Sequence, residues 1–123
     1  MKKWTNEEYR KAEIELAGYE GWQFENDGEG IIRDPFGVHH MDPPAYCRDI
    51  LVAGLLIERY QLTMDGDDYT ICVHWPDAVQ GQAHDVDEHP SREVAMCFAL
   101  TQAAIAYHKQ CLEKINENGN GGP

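Results

Sequence analysis

The residues best suited to chemistry lie in two short stretches, His39-His40-Met41-Asp42 and His84-Asp85-Val86-Asp87-Glu88-His89, each running into a proline. Imidazole and carboxylate side chains are good ligands for zinc, manganese or iron, and an open coordination position on such a metal activates water. The candidate metal set is therefore His39, His40, Asp42, His84, Asp87 and His89. The spacing matches neither a helix-borne HExxH nor a zinc finger, and Asp65-Gly66-Asp67-Asp68 lacks the ligand alternation of an EF-hand. Solvated loops that cap the helices after them account for the same residues without any metal.

Other chemistries find less support. Ser91 is the single serine and has no nucleophile-elbow flank. Cys97 and His108 are eleven residues apart on one expected helix, about 16 Å by the helix rise, too far to act as a pair. There is no GxGxxG and no Walker loop. No catalytic residue is assigned, and a non-enzymatic role is favoured.

Charge is the stronger signal. Twenty-two acids against ten Lys and Arg give a net charge of -12 on 123 residues. That field disfavours direct contact with nucleic acid or anionic lipid, which draws on clustered cations. Between Arg59 and Arg92 there is no Lys or Arg, yet Asp65, Asp67, Asp68, Asp77, Asp85, Asp87 and Glu88 all fall there. A shared acidic surface formed by these seven would complement a basic protein, and they are the candidate partner-binding residues. Solubility alone is the plainer explanation of the same acids.

The elements that must position these residues fit one domain over residues 1–115, with a Gly- and Asn-rich tail at 116–123 expected to be flexible. Thr5 and Glu8 form a capping box, Trp4 and Tyr9 a hydrophobic staple, and Gly18 is the expected helix stop. Trp22-Gln23-Phe24 and Ile31-Ile32-Arg33 flank an Asp-Gly turn and predict a β-hairpin. Asp42 as cap and Pro43 at the first helical position predict a helix from 43 to 60.

Tyr60-Gln61-Leu62, Asp65-Gly66 and Tyr69-Thr70-Ile71 repeat the first hairpin's pattern 38 positions on, and a helix over about 90–115 closes the chain. The order is α-ββα-ββα: an α+β layered sandwich of an antiparallel sheet of about four strands, in two hairpins, with three helices. Ala95, Ala99, Ala103 and Ala106 line one side of the last helix, where they pack against Ala53 and Gly54 or support a homodimer. Trp22 and Trp75 are read as closing the ends of the core.

Cys47, Cys72, Cys97 and Cys111 are widely spaced in apolar or helical settings, as buried reduced thiols would be. The longest apolar runs are too short to span a membrane, and the polar start is unlike a secretory signal, so a cytoplasmic location is expected.

The segments ELAGYEGWQF, MDPPAYCRDILVAGLLIERYQLTM and HPSREVAMCFALTQAAIA together resemble the phage ABA-sandwich domain family over roughly residues 9–107. The resemblance rests on a Gly-Trp after the first helix, a helix leading into an aromatic-apolar strand, and an alanine-rich final helix. HHMDPP and HDVDEHP depart from it, so it carries over no site residue. It implies a helix–sheet–helix layered fold and a phage or prophage origin, hence a bacterial host cytoplasm. With the charge, it implies a counter-defence inhibitor of the anti-CRISPR kind, docked on a basic, nucleic-acid-binding host or defence protein. The alternative is a metal-dependent hydrolase or metal-binding regulator built on loops 39–42 and 84–89.

Overall fold

The computed structural model describes residues 2–25, 32–76, 78 and 81–120, with side chains described to residue 115. It is an α+β fold of three helices and two three-stranded antiparallel sheets. In chain order these are α1 (Asn6–Tyr19), β1 (Gln23–Phe24), β2 (Ile32–Arg33), β3 (His39–His40), α2 (Ile50–Tyr60), β4 (Thr63–Gly66), β5 (Thr70–His74) and β6 (Gln82–Asp85). A 3-10 turn (Val86–Glu88) and α3 (Arg92–Asn120) follow.

Helix α1 starts as its sequence dictates. The Thr5 hydroxyl accepts from Glu8 N–H, and the Glu8 carboxylate accepts from Thr5 N–H. Its stop is at Gly21 rather than Gly18: Trp22 N–H bonds the Ala17 carbonyl and Gly21 N–H that of Gly18, a Schellman pair that needs the positive φ of Gly21. Trp4 and Tyr9 come together through His89 and Phe98, whose rings both of them pack against.

Helix α2 begins at Ile50 with Asp49 as cap, not at Pro43 with Asp42. Pro44 disfavours helical geometry at Pro43, and Cys47 N–H is held by the buried Glu13 carboxylate instead of a helix carbonyl. Asp42 is ion-paired with Arg10 at 2.8 Å. At the far end Gln61 takes the left-handed conformation (φ 52°) that usually calls for glycine.

Each sheet has one strand more than the four-strand reading allows. His39–His40 pairs with β2 and Gln82–Asp85 with β5, both stretches expected as loops. The 38-residue offset holds for the middle strands, which begin at Ile32 and Thr70, but not for the first ones, because Trp22 directly precedes β1 whereas Tyr60 ends α2. What recurs is a helix followed by three antiparallel strands. The expected turn at Asp27-Gly28 lies outside the described residues.

Helix α3 is the centre of the fold. Ser91 caps it, accepting from Val94 N–H, and α1, α2, β5 and β6 all pack on it. Cys97 to Ala99, Leu100, Thr101 and Ala103 to Ile105 are buried around its circumference. Ala95, Ala99 and Ala103 are fully buried, so that face packs inside the monomer. Gly54 needs no close neighbour: a Cβ there would meet nothing within 4 Å. Helix α3 continues beyond Ile115 to Asn120, into the stretch expected as tail. Cys47 and Cys97 are buried as expected, but Cys72 and Cys111 are half-buried; all four are unpaired. Trp22 and Trp75 are half-buried against the core. No described helix is long and apolar enough to cross a membrane.

Candidate functional site

The register of the second sheet decides what its acids do together. Thr63 pairs with His74, Asp65 with Cys72, Cys72 with Ala83, and Thr70 with Asp85. Directly paired residues share a face, and alternate residues along a strand do too. Met64, Val73, Gln82, Ile71 and His84 therefore face α3, while Asp65, Cys72, Ala83, Thr70 and Asp85 face outward. Because β5 runs antiparallel to both neighbours, the end of β4, the start of β5 and the end of β6 meet at one end of the sheet.

Six of the seven candidate partner-binding acids lie at that end. Asp65 is on β4, Asp67 and Asp68 are in the following turn, Asp85 ends β6, and Asp87 and Glu88 are in the 3-10 turn. Asp77 lies outside the described residues. All six except the half-buried Glu88 are exposed. Asp67 builds the turn by accepting Tyr69 N–H and Thr70 N–H, both at 2.8 Å, and these bonds hold its carboxyl below the usual range. Tyr69 projects from the tip with 69% of its surface exposed. Two cations are bonded into this end: Arg92 to the Asp67 carbonyl and Lys3 to the Asp87 carbonyl. Six carboxylates thus share this end with Lys3, Arg92 and the exposed Tyr69 ring, and Lys2 lies over Trp4, whose indole N–H donates to Glu88.

The candidate metal ligands are not gathered. His39 accepts from Arg33 at 3.0 Å, and His40 pairs with Asp34 at 2.9 Å beside Trp22. His84 lies edge-on to Phe98 on the α3 side of the sheet. His89 is 7% exposed, stacked parallel to Trp4, with Tyr9 Oη 2.5 Å from its Nδ1. Burial lowers the pKa of both imidazoles and pushes the Tyr9 phenol up to about 12. Tyr9 therefore keeps its proton and donates it to His89. Among the described residues no three His, Cys, Asp or Glu side chains are arranged to hold a metal ion.

No protein-family model, curated protein or solved structure matches the chain.

One constellation has no counterpart in the sequence motifs. A cleft of about 510 Å³ opens where the C-terminal ends of α1 and α2 meet the side of α3. Glu20, at the end of α1, accepts from the Tyr46 hydroxyl on Oε1, and from the Tyr60 hydroxyl (2.7 Å) and Arg59 (2.5 Å) on Oε2. Burial alone would raise the Glu20 pKa, but the two hydroxyls and the guanidinium outweigh it and lower it. Both phenols are pushed up by burial and by that carboxylate. His108 Nε2 is 2.7 Å from Tyr60 Oη, and burial holds the imidazole in the neutral form, so His108 donates to a hydroxyl that in turn donates to Glu20. Trp22, Pro35, Pro44, Val52 and Leu55 make the walls. These residues are scattered from 20 to 108, and no local spacing announces them.

Proposed function

We propose that the chain is a non-enzymatic binding protein that docks the acidic end of its second sheet onto a basic protein surface. The observation that carries this reading is the convergence of Asp65, Asp67, Asp68, Asp85, Asp87 and Glu88 around the exposed Tyr69. The sheet register imposes it, not the sequence run alone. Aromatic anchors ringed by charge are a common interface design: the ring supplies buried area, and the charges steer the encounter and choose the partner. A net charge of -12 adds a long-range pull on cationic surfaces.

The partner class that fits best is a bacterial nucleic-acid-binding protein whose phosphate-binding face is blocked by the acids. An anti-CRISPR-like inhibitor of phage or prophage origin, working in the host cytoplasm, is the concrete form of this reading. The layered sandwich of the phage family belongs to the same proposal. It is supported by the order helix, three strands, helix, three strands, helix, with the second sheet lying on α3.

The test is capture from nuclease-treated bacterial lysate with two baits: the parent chain, and one carrying Asp65→Asn, Asp68→Asn, Asp85→Asn, Asp87→Asn and Tyr69→Ala. A nucleic-acid-binding protein retained only by the parent, released by salt and displaced by DNA or RNA, is the expected result. Equal retention by both baits would sink the proposal.

A further inference from the structure

The cleft at Glu20 lies far from the acidic end. His108 is sixteen residues along α3 from Arg92, about 24 Å by the helix rise. Its electrostatics point one way. Glu20 closes the C-terminal end of α1, and Tyr60 is the last residue of α2, so two negative helix ends meet at a buried carboxylate. Trp22, Tyr46 and Tyr60 add aromatic rings, whose faces attract cations. His108, kept neutral, contributes no positive charge.

Among the described residues Arg59 is the one cation lining the cleft, and it sits at the lip, its side chain half exposed, with a guanidinium nitrogen on Glu20 Oε2. The guanidinium is open to water while the carboxylate is nearly closed off, so Arg59 can leave only if another cation takes its place on Glu20. Arg59 is in effect an organic cation already seated on the carboxylate. Beside it Val52, Leu55, Pro35 and Pro44 form an apolar wall, and Leu55 is 58% exposed although it has no polar role.

We infer that this cleft binds a small organic cation, an ammonium or amidinium group on an apolar body, with Glu20 as counter-ion and Arg59 displaced from it. The charged head takes the place of the Arg59 guanidinium between the Tyr46 and Tyr60 hydroxyls. The body lies along Pro35, Pro44, Val52 and Leu55, under Trp22. The cleft volume is within the usual range of small-molecule sites. The inference stands apart from the docking proposal, since none of its residues belongs to the acidic end.

The experiment titrates benzamidinium, and separately benzoate, into the full chain and follows the backbone amides and tryptophan indole N–H signals by NMR. Benzamidinium is expected to shift the Trp22 indole and the amides of residues 20–22 and 59–61, and benzoate to leave them unmoved. Arg59→Ala, which removes the competing guanidinium, is expected to tighten benzamidinium binding about tenfold or more; Glu20→Gln should abolish it. Since Glu20→Gln removes charge from a hydrogen-bonded network and risks the fold, the Arg59→Ala result stands as the independent readout. Benzoate binding that Arg59→Ala destroys would overturn the inference in favour of an anion site. Unchanged benzamidinium affinity in Arg59→Ala would overturn the displacement. No shift with either probe at millimolar concentration would reduce the cleft to a structural hydrogen-bond network.

Discussion

Acidification through the histidine range should destabilise the fold, because burial lowers the pKa of His84, His89 and His108, and the first two lie side by side on Phe98. Both imidazoles pack against Phe98, and each has a buried Nε2 with no hydrogen-bond partner. Burial lowers the His84 pKa, helped by the nearby His89, while Glu88 and Asp85 partly oppose it; for His89 burial is opposed by Glu88. With folded pKa values below the unfolded value of about 6.5, the unfolded chain binds more protons as the pH falls. The stability these groups contribute is complete above about pH 6.5 and is lost as pH falls toward the folded pKa values. For one histidine that stays neutral in the fold, lowering the pH from about 6.5 to about 5.5 costs at most about 1 kcal/mol, so the pair costs up to about 2 kcal/mol. That is a sizeable part of a typical domain stability of about 5–15 kcal/mol.

Urea denaturation at the two pH values, for the parent and for His84→Gln with His89→Gln, measures it. Glu13 works in the opposite sense, because burial raises its pKa and the folded state then gains stability as pH falls, so the difference between the two proteins is the informative quantity. The double variant should show a clearly smaller decline between the two pH values, and the part that remains comes from His108, whose pKa burial also lowers. An equal decline in both proteins would refute the reasoning.

Glu13 is fully buried and holds Cys47 N–H and the Arg48 guanidinium. Glu13→Ala should cost about 2–4 kcal/mol in chemical denaturation, as an orphaned buried donor and a broken ion pair require. A Cβ on Gly66 would lie 2.2 Å from the Thr70 carbonyl oxygen, so Gly66→Ala should destabilise by about 2 kcal/mol or more and perturb the β4–β5 amide shifts. Gln61→Gly should instead stabilise, by up to about 1 kcal/mol in thermal melts, because glycine adopts the left-handed cap without steric cost.

Signals that act over a few residues were legible in the sequence. The Thr5–Glu8 capping box and the alanine-lined side of α3 are local, and the structure has the box and buries Ala95, Ala99 and Ala103. The third strand of each sheet was not legible. His39–His40 is two residues long, and Gln82-Ala83-His84-Asp85 has no apolar alternation, although Gln82 and His84 do turn toward α3. The same pleat keeps the candidate metal ligands apart: it sends His84 inward to Phe98, while His39 and His40 sit in the other sheet. The absence of Lys and Arg between 59 and 92 was visible at once, but the meeting of two acidic segments depends on strand register, which composition does not carry. The Glu20 cleft needs three helix positions and a turn brought together by tertiary packing, and so escaped any reading of spacing.

Acidic docking is tested most directly by the association rate with the captured partner at low and high salt, for the parent and for the variant carrying Asp65→Asn, Asp68→Asn, Asp85→Asn and Asp87→Asn. The account predicts a parent rate that falls about tenfold or more as salt rises, and a variant that associates slowly at both salts with little change in dissociation. Equal association rates for parent and variant at low salt would contradict it.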